Sequence, residues 1–171
     1  MRDTLIIAGL TFVAVIIGIY IFFYNSGSLS SAALSAGANT NSAAVAIPFT
    51  KLAQGTRSSV STRVNYLITS TSQLEELWKM LGAGGQMPSV DFATHNVIAV
   101  FAGKEPTAGY AIAVSKVTDS EVRAVTITIT APASTCSAAH SMTAPYQVVE
   151  LPKSPLSLTH EDQTATAGCP Q

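Results

Sequence analysis

Residues 4–24, TLIIAGLTFVAVIIGIYIFFY, form a stretch of 21 residues without a charge. As a helix rising about 1.5 Å per residue, this stretch would extend roughly 31 Å, close to the thickness of a bilayer core. It has no polar face, so it does not resemble a helix packed on the surface of a globular core. The stretch therefore predicts a transmembrane helix. This helix would serve as an uncleaved signal anchor, and the whole anchor segment comprises residues 1–24.

The charges that flank this stretch predict its orientation. Arg2 lies before it, and the next Lys or Arg is Lys51. The positive-inside rule then predicts a single-pass cell membrane protein with a cytoplasmic N-terminus and an extracytoplasmic C-terminal domain. A cleaved signal peptide is the alternative, with small residues at 36–38 as the cleavage site. The apolar region is longer than a typical signal-peptide core, and that site lies far beyond it.

Residues 25–46 contain Ser, Ala, Gly and Asn in abundance and no charge. Such a composition is typical of a flexible linker. The sequence therefore predicts three parts: the anchor at 1–24, the linker at 25–46 and a folded domain at 47–171.

One segment of the predicted domain, residues 72–82, has the pattern of an amphipathic helix. Its apolar residues follow helical spacing: Leu74, Leu77, Trp78 and Leu81. Ser72 and Glu75 match a capping box, Glu75 and Lys79 are spaced to pair, and Gly82 is a suitable C-terminal stop. We expect this apolar stripe, Trp78 included, to pack in the core rather than to bind a ligand.

Other segments have the alternation or the β-branched content of strands. These segments are 62–69, 96–103, 110–117, 122–130 and 146–153. Residues 131–145 are polar and predict a long loop. Short connections favour antiparallel pairing, because parallel strands need longer crossovers. The predicted fold class is thus an N-terminal transmembrane helix plus a mainly antiparallel β sheet or sandwich with one packed α-helix (α+β).

The turn KEPTAG, residues 104–109, lies between two of these strand segments. Pro106 fixes its own φ, and Gly109 permits a positive φ. The local pattern therefore predicts a hairpin connection. A binding loop is the alternative explanation for the same residues.

The order and spacing of the apolar segments around this turn resemble the C-terminal domain of the PrcB family over residues 91–153. The matching residues are Asp91, Phe92, 97–101, Gly103, Pro106, Thr107, Gly109, Tyr110, Ile112, Thr143, Pro145, Tyr146, Val148, Val149, Leu151, Pro152 and Lys153. The family usually has Gly where Ala108 stands here, so we expect a slightly different loop geometry. The resemblance implies an envelope protein that associates with, or stabilises, a peptidase, and it implies no catalysis.

A weaker resemblance concerns two short stretches. EPTAGY, residues 105–110, is similar to the Pro-Thr-Thr-Gly-Tyr loop of chagasin-type peptidase inhibitors, which are immunoglobulin-like sandwiches. APY, residues 144–146, is similar to their Arg-Pro-Trp loop but has neither the Arg nor the Trp. Peptidase inhibition through loops 104–110 and 131–146 is therefore the alternative function.

These two loops supply the candidate partner-binding residues. They are Lys104, Glu105, Pro106, Thr107, Gly109, Tyr110, Thr143, Pro145 and Tyr146. Tyr110 and Tyr146 are the expected aromatic anchors, because aromatic side chains dominate many binding interfaces. Lys104 and Glu105 are expected on the rim.

The chain has two cysteines, Cys136 and Cys169, and an even count outside the cytoplasm predicts a disulfide. An alternative is Cys136 as a nucleophile with His140 as its base. A metal site is a further alternative, from Cys136, His140, His160, Glu161 and Asp162. The spacings match no established arrangement, and residues 160–162 are expected to form a solvated turn. We therefore predict no enzyme activity, no catalytic residue, no metal and no cofactor.

The formal net charge is −1, and charged residues make up 11% of the chain. A nucleic-acid-binding protein normally shows a basic patch or stripe, so nucleic acid is excluded as a partner. The sequence predicts a membrane-anchored extracytoplasmic protein-interaction module. Its expected partners are a protein such as a peptidase and, through residues 4–24, the membrane.

Overall fold

The computed structural model describes residues 43–82, 85–136 and 141–169. Within these ranges the chain forms eight strands and one helix. In chain order these are β1 (Val45–Ala46), β2 (Thr50–Gly55), β3 (Val64–Ile68), α1 (Thr71–Leu81), β4 (His95–Phe101), β5 (Ala111–Asp119), β6 (Arg123–Pro132), β7 (Tyr146–Pro152) and β8 (Leu158–Ala167).

The strands form two four-stranded sheets. The outer sheet has the order β1-β5-β6-β8, and the central sheet has the order β2-β7-β4-β3. Neighbouring strands are antiparallel throughout, except that β6 and β8 are parallel. The mainly antiparallel β domain predicted from the sequence is therefore supported.

The central sheet is covered on both faces, so the domain has three layers. Alternate residues of β4 and β7 pack with Leu74, Leu77 and Leu81 of α1 in one apolar cluster. The remaining residues of β4 and β7 pack against β5 and β6 in a second cluster. Because both faces are buried, β4 reads as the unbroken apolar run VIAVF over 97–101, which the sequence analysis assigned to a buried strand.

The helix lies where the sequence predicts it, but its start and its ion pair differ. Ser70 is the N-cap, and its side chain accepts a hydrogen bond from the backbone N–H of Gln73, so the predicted cap at Ser72 is wrong. Lys79 Nζ pairs with Glu76 Oε1 at 2.8 Å rather than with Glu75. Gly82 ends the helix with φ of 56°, as predicted. Trp78 packs against the apolar cluster beside the helix, as expected.

Three strands were not predicted from the sequence: β1, β2 and β8. All three lie at edges of the sheets, and none shows a regular alternation of buried and exposed side chains. The expectation of a turn at 160–162 is wrong, because these residues lie within β8, although they are exposed as expected. β1 begins just before the predicted domain start at residue 47.

The turn at 104–110 does not join a hairpin. It follows β4 of the central sheet and precedes β5 of the outer sheet, so the chain crosses from one layer to the other there. The predicted hairpin connection is therefore wrong. The two strands have their own antiparallel partners, β3 and β7 for β4, and β1 and β6 for β5.

Polar side chains connect the two sheets. Arg63, which precedes β3, donates two hydrogen bonds to Asp162 of β8, at 2.9 and 2.7 Å. Gln147 of β7 is buried, and its Oε1 accepts from the backbone N–H of Val114, at 2.7 Å, beside a register shift in β5. Arg123 of β6 is 5% exposed and donates to the carbonyl of Pro152 in β7. The contacts of Gln147 and Arg123 satisfy buried polar groups that would otherwise be costly between the layers.

The predicted fold class requires a correction because it included a transmembrane helix. Within the described ranges no helix has the length and apolar character needed to cross a bilayer. The helix α1 has 11 residues, about 16 Å at 1.5 Å per residue, and it carries Glu75, Glu76 and Lys79. The predicted span, residues 4–24, and most of the predicted linker lie outside the described residues.

Candidate functional site

Three segments meet at one end of the domain, which we call the loop end. They are residues 56–63 between β2 and β3, residues 102–110 between β4 and β5, and residues 141–145 before β7. The strand directions bring the two loops singled out from the sequence, 104–110 and 131–146, to this same end. The segment 56–63, which sequence reasoning missed, is the third component.

Loop 102–110 and loop 141–145 are joined by a two-residue antiparallel bridge. The backbone N–H of Glu105 donates to the carbonyl of Thr143 at 2.8 Å, and the N–H of Thr143 donates back at 3.0 Å. Thr143 Oγ1 also donates to the carbonyl of Thr107, at 3.0 Å. The two loops therefore form one hydrogen-bonded ridge rather than two independent segments.

The ridge is fixed to the segment 56–63 by further backbone contacts. The N–H of Ala144 donates to the carbonyl of Thr56 at 2.8 Å, and the N–H of Lys104 donates to the carbonyl of Ser61 at 3.1 Å. Ser58 Oγ donates to the carbonyl of Ala144 at 3.2 Å. Because its backbone groups are satisfied in this way, the ridge is ordered before any partner binds.

Two glycines set the path of loop 102–110. Gly103 has φ of 89°, and a Cβ there would lie 2.9 Å from the backbone carbon of Thr62. Gly109 has φ of 95°, and its Cβ would meet Pro132 at 3.1 Å. Side chains other than glycine rarely adopt such φ values. These positions let the loop approach segment 56–63 on one side and the end of β6 on the other.

The predicted site residues occupy three levels of exposure. Lys104, Pro106 and Gly109 are exposed; Glu105, Thr107, Tyr110 and Thr143 are half-buried; Pro145 and Tyr146 are buried. The tip of the ridge is thus formed by the first group, supported by the second.

Tyr146 does not lie at the surface as an anchor would. It is 7% exposed, and its ring stacks on Phe101 with 6.1 Å between the ring centroids. Tyr66 contacts Phe101 from the other side, edge to face, at 5.8 Å. The Tyr146 ring therefore belongs to the core under the loop end.

Met142 is the exposed apolar residue of the ridge, and sequence reasoning did not single it out. It is 66% exposed, one of two large apolar residues among the described ranges to be so open. The signal available in the sequence was an isolated Met within a polar loop. Met and aromatic side chains are enriched at protein interfaces, so Met142 is a candidate contact.

The charges of the loop end are mainly positive. Arg57 and Lys104 are exposed, while Glu105 is half-buried. Burial raises the pKa of the Glu105 carboxyl above its ordinary value. The loop end thus exposes two cationic side chains in addition to Met142 and Pro106.

The predicted disulfide is confirmed. Cys136 and Cys169 are bonded, which connects the segment after β6 to the residue that follows β8 by two positions. Cys136 has no free thiol in this state, so it does not serve as a nucleophile. His140, the proposed base, lies outside the described residues.

Within the described ranges, no group of three or more His, Cys, Asp or Glu side chains is placed to hold a metal ion. At the end opposite the loop end lies a small recess of about 40 Å³, lined in part by Leu67, Asn96, Arg123 and Leu158. Both carboxylate oxygens of Asp119 accept from Arg123 at 2.7 Å, so this recess offers no free cation to an anionic ligand.

The fold and the loop end define a class: a two-sheet β domain with one helix, at one end of which two loops form an exposed ridge. The sequence model described as PrcB C-terminal matches residues 96–152, a segment from β4 through β7 that contains both loops of the ridge. The resemblance to the PrcB family is thereby confirmed over this segment. No curated protein and no solved structure matches the chain.

Proposed function

We propose that this domain is a non-catalytic module that binds a peptidase or another envelope protein through the loop end. The match to the PrcB C-terminal family indicates a protein-interaction role associated with a protease complex. The finer assignment, an accessory or stabilising subunit, is our inference from this family resemblance.

One observation carries this proposal: the family-matched segment contains an exposed apolar residue on an ordered ridge. Met142 is 66% exposed, yet the neighbouring Thr143 is fixed by three hydrogen bonds to Glu105 and Thr107. Because the ridge is already ordered, binding loses little conformational entropy. An exposed apolar side chain on such a support is well suited to enter a pocket of a partner.

The charges indicate what the partner surface should offer. Arg57 and Lys104 are exposed at the loop end, as are Met142 and Pro106. A partner with an apolar pocket and an acidic rim would complement them, and such rim charges act mainly on the association rate and its salt dependence.

The disulfide supports an extracytoplasmic location for this role. Disulfides persist in oxidising compartments and are rare in the cytosol. We therefore place the domain and its partner outside the cytoplasm. The Cys136–Cys169 bond is the structural feature that supports this placement.

The test uses two exposed apolar residues at opposite ends of the domain. Met142 lies at the loop end, and Val45, which is 61% exposed, pairs with Asp119 at the other end. The full chain and its Met142→Ser and Val45→Ser variants would each be immobilised and exposed to envelope extract from the producing organism. Peptidases would be identified among the captured proteins by mass spectrometry, and their affinities would then be measured with purified components.

Burying a Met side chain contributes about 1.5–3 kcal/mol, so Met142→Ser should weaken binding roughly 10- to 100-fold. Val45→Ser should bind as the unchanged chain does. Equal binding by all three proteins would show that the contact surface lies elsewhere. Circular dichroism of both variants confirms that folding is retained.

Peptidase inhibition is the second candidate function, and one observation favours it. The two loops that resemble the chagasin type lie side by side on one ridge at the end of a two-sheet domain. An inhibitor should block a papain-like peptidase in a simple activity assay, and Met142→Ser should relieve that block. An accessory subunit should bind its peptidase without abolishing activity.

A further inference from the structure

β8 is an edge strand with an unusually open surface. It lies at the end of the outer sheet, beside β6 alone, and the described ranges place no strand on its other side. Side chains from His160 to Thr166 are all exposed. A strand in this position presents a row of backbone N–H and C=O groups that can pair with another strand.

The other edge strands are shorter or irregular, whereas β8 is long and regular. β1 has two residues, β2 has a register shift between Lys51 and Ala53, and β3 has five residues, each buried or half-buried. β8 pairs with β6 in unbroken register over ten residues and contains no proline. Short edges and bulges protect sheets from unwanted pairing, so β8 is the edge most open to a partner.

We propose that β8 pairs antiparallel with β8 of a second copy of this chain, about a two-fold axis through Gln163. The pairing would join the two outer sheets edge to edge. It would place the same strand of each copy at the interface, as a two-fold symmetric contact requires.

Hydrogen-bond geometry restricts where this axis can lie. In an antiparallel pair, directly opposite residues must both point their backbone groups toward the partner strand or both away from it. Those orientations alternate along a strand, so for two identical strands the axis must pass through a residue and not between residues. The two-fold axis can therefore pass through Asp162, through Gln163 or through a neighbouring residue.

The charges of β8 select Gln163. They are confined to the first half of the strand, with Glu161 and Asp162 as its acidic residues, while residues 163–167 carry none. An axis at Asp162 would set that carboxylate against its own copy, which is unfavourable. An axis at Gln163 sets Glu161 opposite Ala165 and Asp162 opposite Thr164.

The Gln163 register also gives the longest pairing without like charges opposite each other. It spans residues 159–167, whereas an axis at Thr164 would shorten the pairing to 161–167. Asp162 already forms an ion pair with Arg63 of its own chain. This ion pair weakens the repulsion between the Asp162 carboxylate and the other acidic side chains near the axis. In this register the charged half of each strand lies opposite the uncharged half of the other strand. This is why we assign the partner as a second copy of the chain.

The test places a single cysteine at the proposed axis of the full chain. Residues directly opposite each other in an antiparallel pair have Cα atoms about 4.5–5.5 Å apart, within the range that a disulfide can bridge. Under mild oxidation, purified Gln163→Cys should therefore convert to a covalent dimer. Peptide mapping should find a bond between the two copies of the new cysteine, with Cys136–Cys169 retained.

Glu161→Cys is the matched control, since it is exposed and lies two residues from the axis. Its two copies would be separated by four residue steps, roughly 13 Å, which is too far for a disulfide. We expect at least tenfold more covalent dimer at position 163 than at 161. Association through any other part of the chain would not favour one of these two positions.

Three results would overturn the proposal. Equal cross-linking at both positions would exclude this register, and cross-linking at neither would exclude the pairing. The third is a single-chain mass for unmodified protein in light scattering at the concentration used for oxidation. Circular dichroism of each variant shows that the comparison is made between folded proteins.

Discussion

The strands β4 and β8 belong to the same domain but are stabilised in different ways. β4 has a strand on each side, the helix on one face and the outer sheet on the other, and residues 97–101 are all buried. β8 has a strand on one side only, and most of its side chains are exposed. The comparison shows that apolar burial stabilises β4 at the centre of the domain. Backbone pairing, one ion pair and the disulfide stabilise β8 at its edge.

Removing the disulfide should have the largest effect and should affect β8 first. The Cys136→Ser/Cys169→Ser variant loses a cross-link between residues 33 positions apart. In the chain-entropy model, this lowers the free energy of unfolding by about 3–4 kcal/mol. Hydrogen exchange should show early loss of protection in β8, while β4 exchanges only by global unfolding. Equal loss in both strands would remove the distinction drawn between them.

Truncating two side chains of equal shape, one in each strand, should lower the free energy of unfolding by amounts that differ several-fold. Val100→Ala in β4 removes two methyl groups from a side chain that is 0% exposed, so it should cost about 2–3 kcal/mol. Thr166→Ala in β8 changes an exposed side chain of the same shape and should cost less than about 0.5 kcal/mol. Urea denaturation of both variants measures the two values. A cost above 1 kcal/mol at Thr166 would mean that β8 has packing contacts of its own.

The ion pair at the start of β6 should give a smaller, pH-dependent effect. Arg123 holds the pKa of Asp119 below its ordinary value through their hydrogen bonds. Arg123 is buried and Asp119 is partly exposed, so Asp119→Asn should cost about 2 kcal/mol, between exposed and buried pairs.

The sign of the pH dependence follows from the lowered pKa of Asp119. The contribution of the pair is complete above the ordinary pKa of 3.8, and it is lost as pH falls through the lower pKa of the folded state. Thermal denaturation of both proteins between neutral pH and pH 3 should show the difference shrink in acid. A difference that stays constant with pH would exclude the ion pair as its cause.

The strands predicted from the sequence are those whose burial leaves a pattern. β4 appeared as a continuous apolar run, and β5 as an alternating one, because one or both of their faces are covered. β1, β2 and β8 left no regular pattern, since edge strands are largely exposed and tolerate polar and small residues at most positions. Their existence depends on hydrogen bonds to strands distant in the chain, which no local pattern contains.

The proximity of the two candidate loops was predicted, whereas the side chains that they expose were not, and partner binding at this end stays a prediction. Residues 104–110 and 143 were expected to lie close together, and the bridge between Glu105 and Thr143 joins them. The burial of Tyr146 could not be predicted from the sequence. Tyr146 is the first residue of β7, and its burial depends on which face of the central sheet its side chain occupies. The exposed Met142 was missed because it lies outside any periodic segment.

The parallel pairing of β6 and β8 has a consequence for the newly made chain. A protein is synthesised from its N-terminus, so β6 is complete before β7, and β8 emerges only after both. Until then the edge of β6 that β8 will occupy has no strand from its own chain, and an exposed strand edge favours association between nascent chains. Cys169 follows β8, so the disulfide can form only at that late stage. β8 therefore completes the outer sheet. Together with the disulfide, it ends the period of biosynthesis in which the edge of β6 is open to association with another nascent chain.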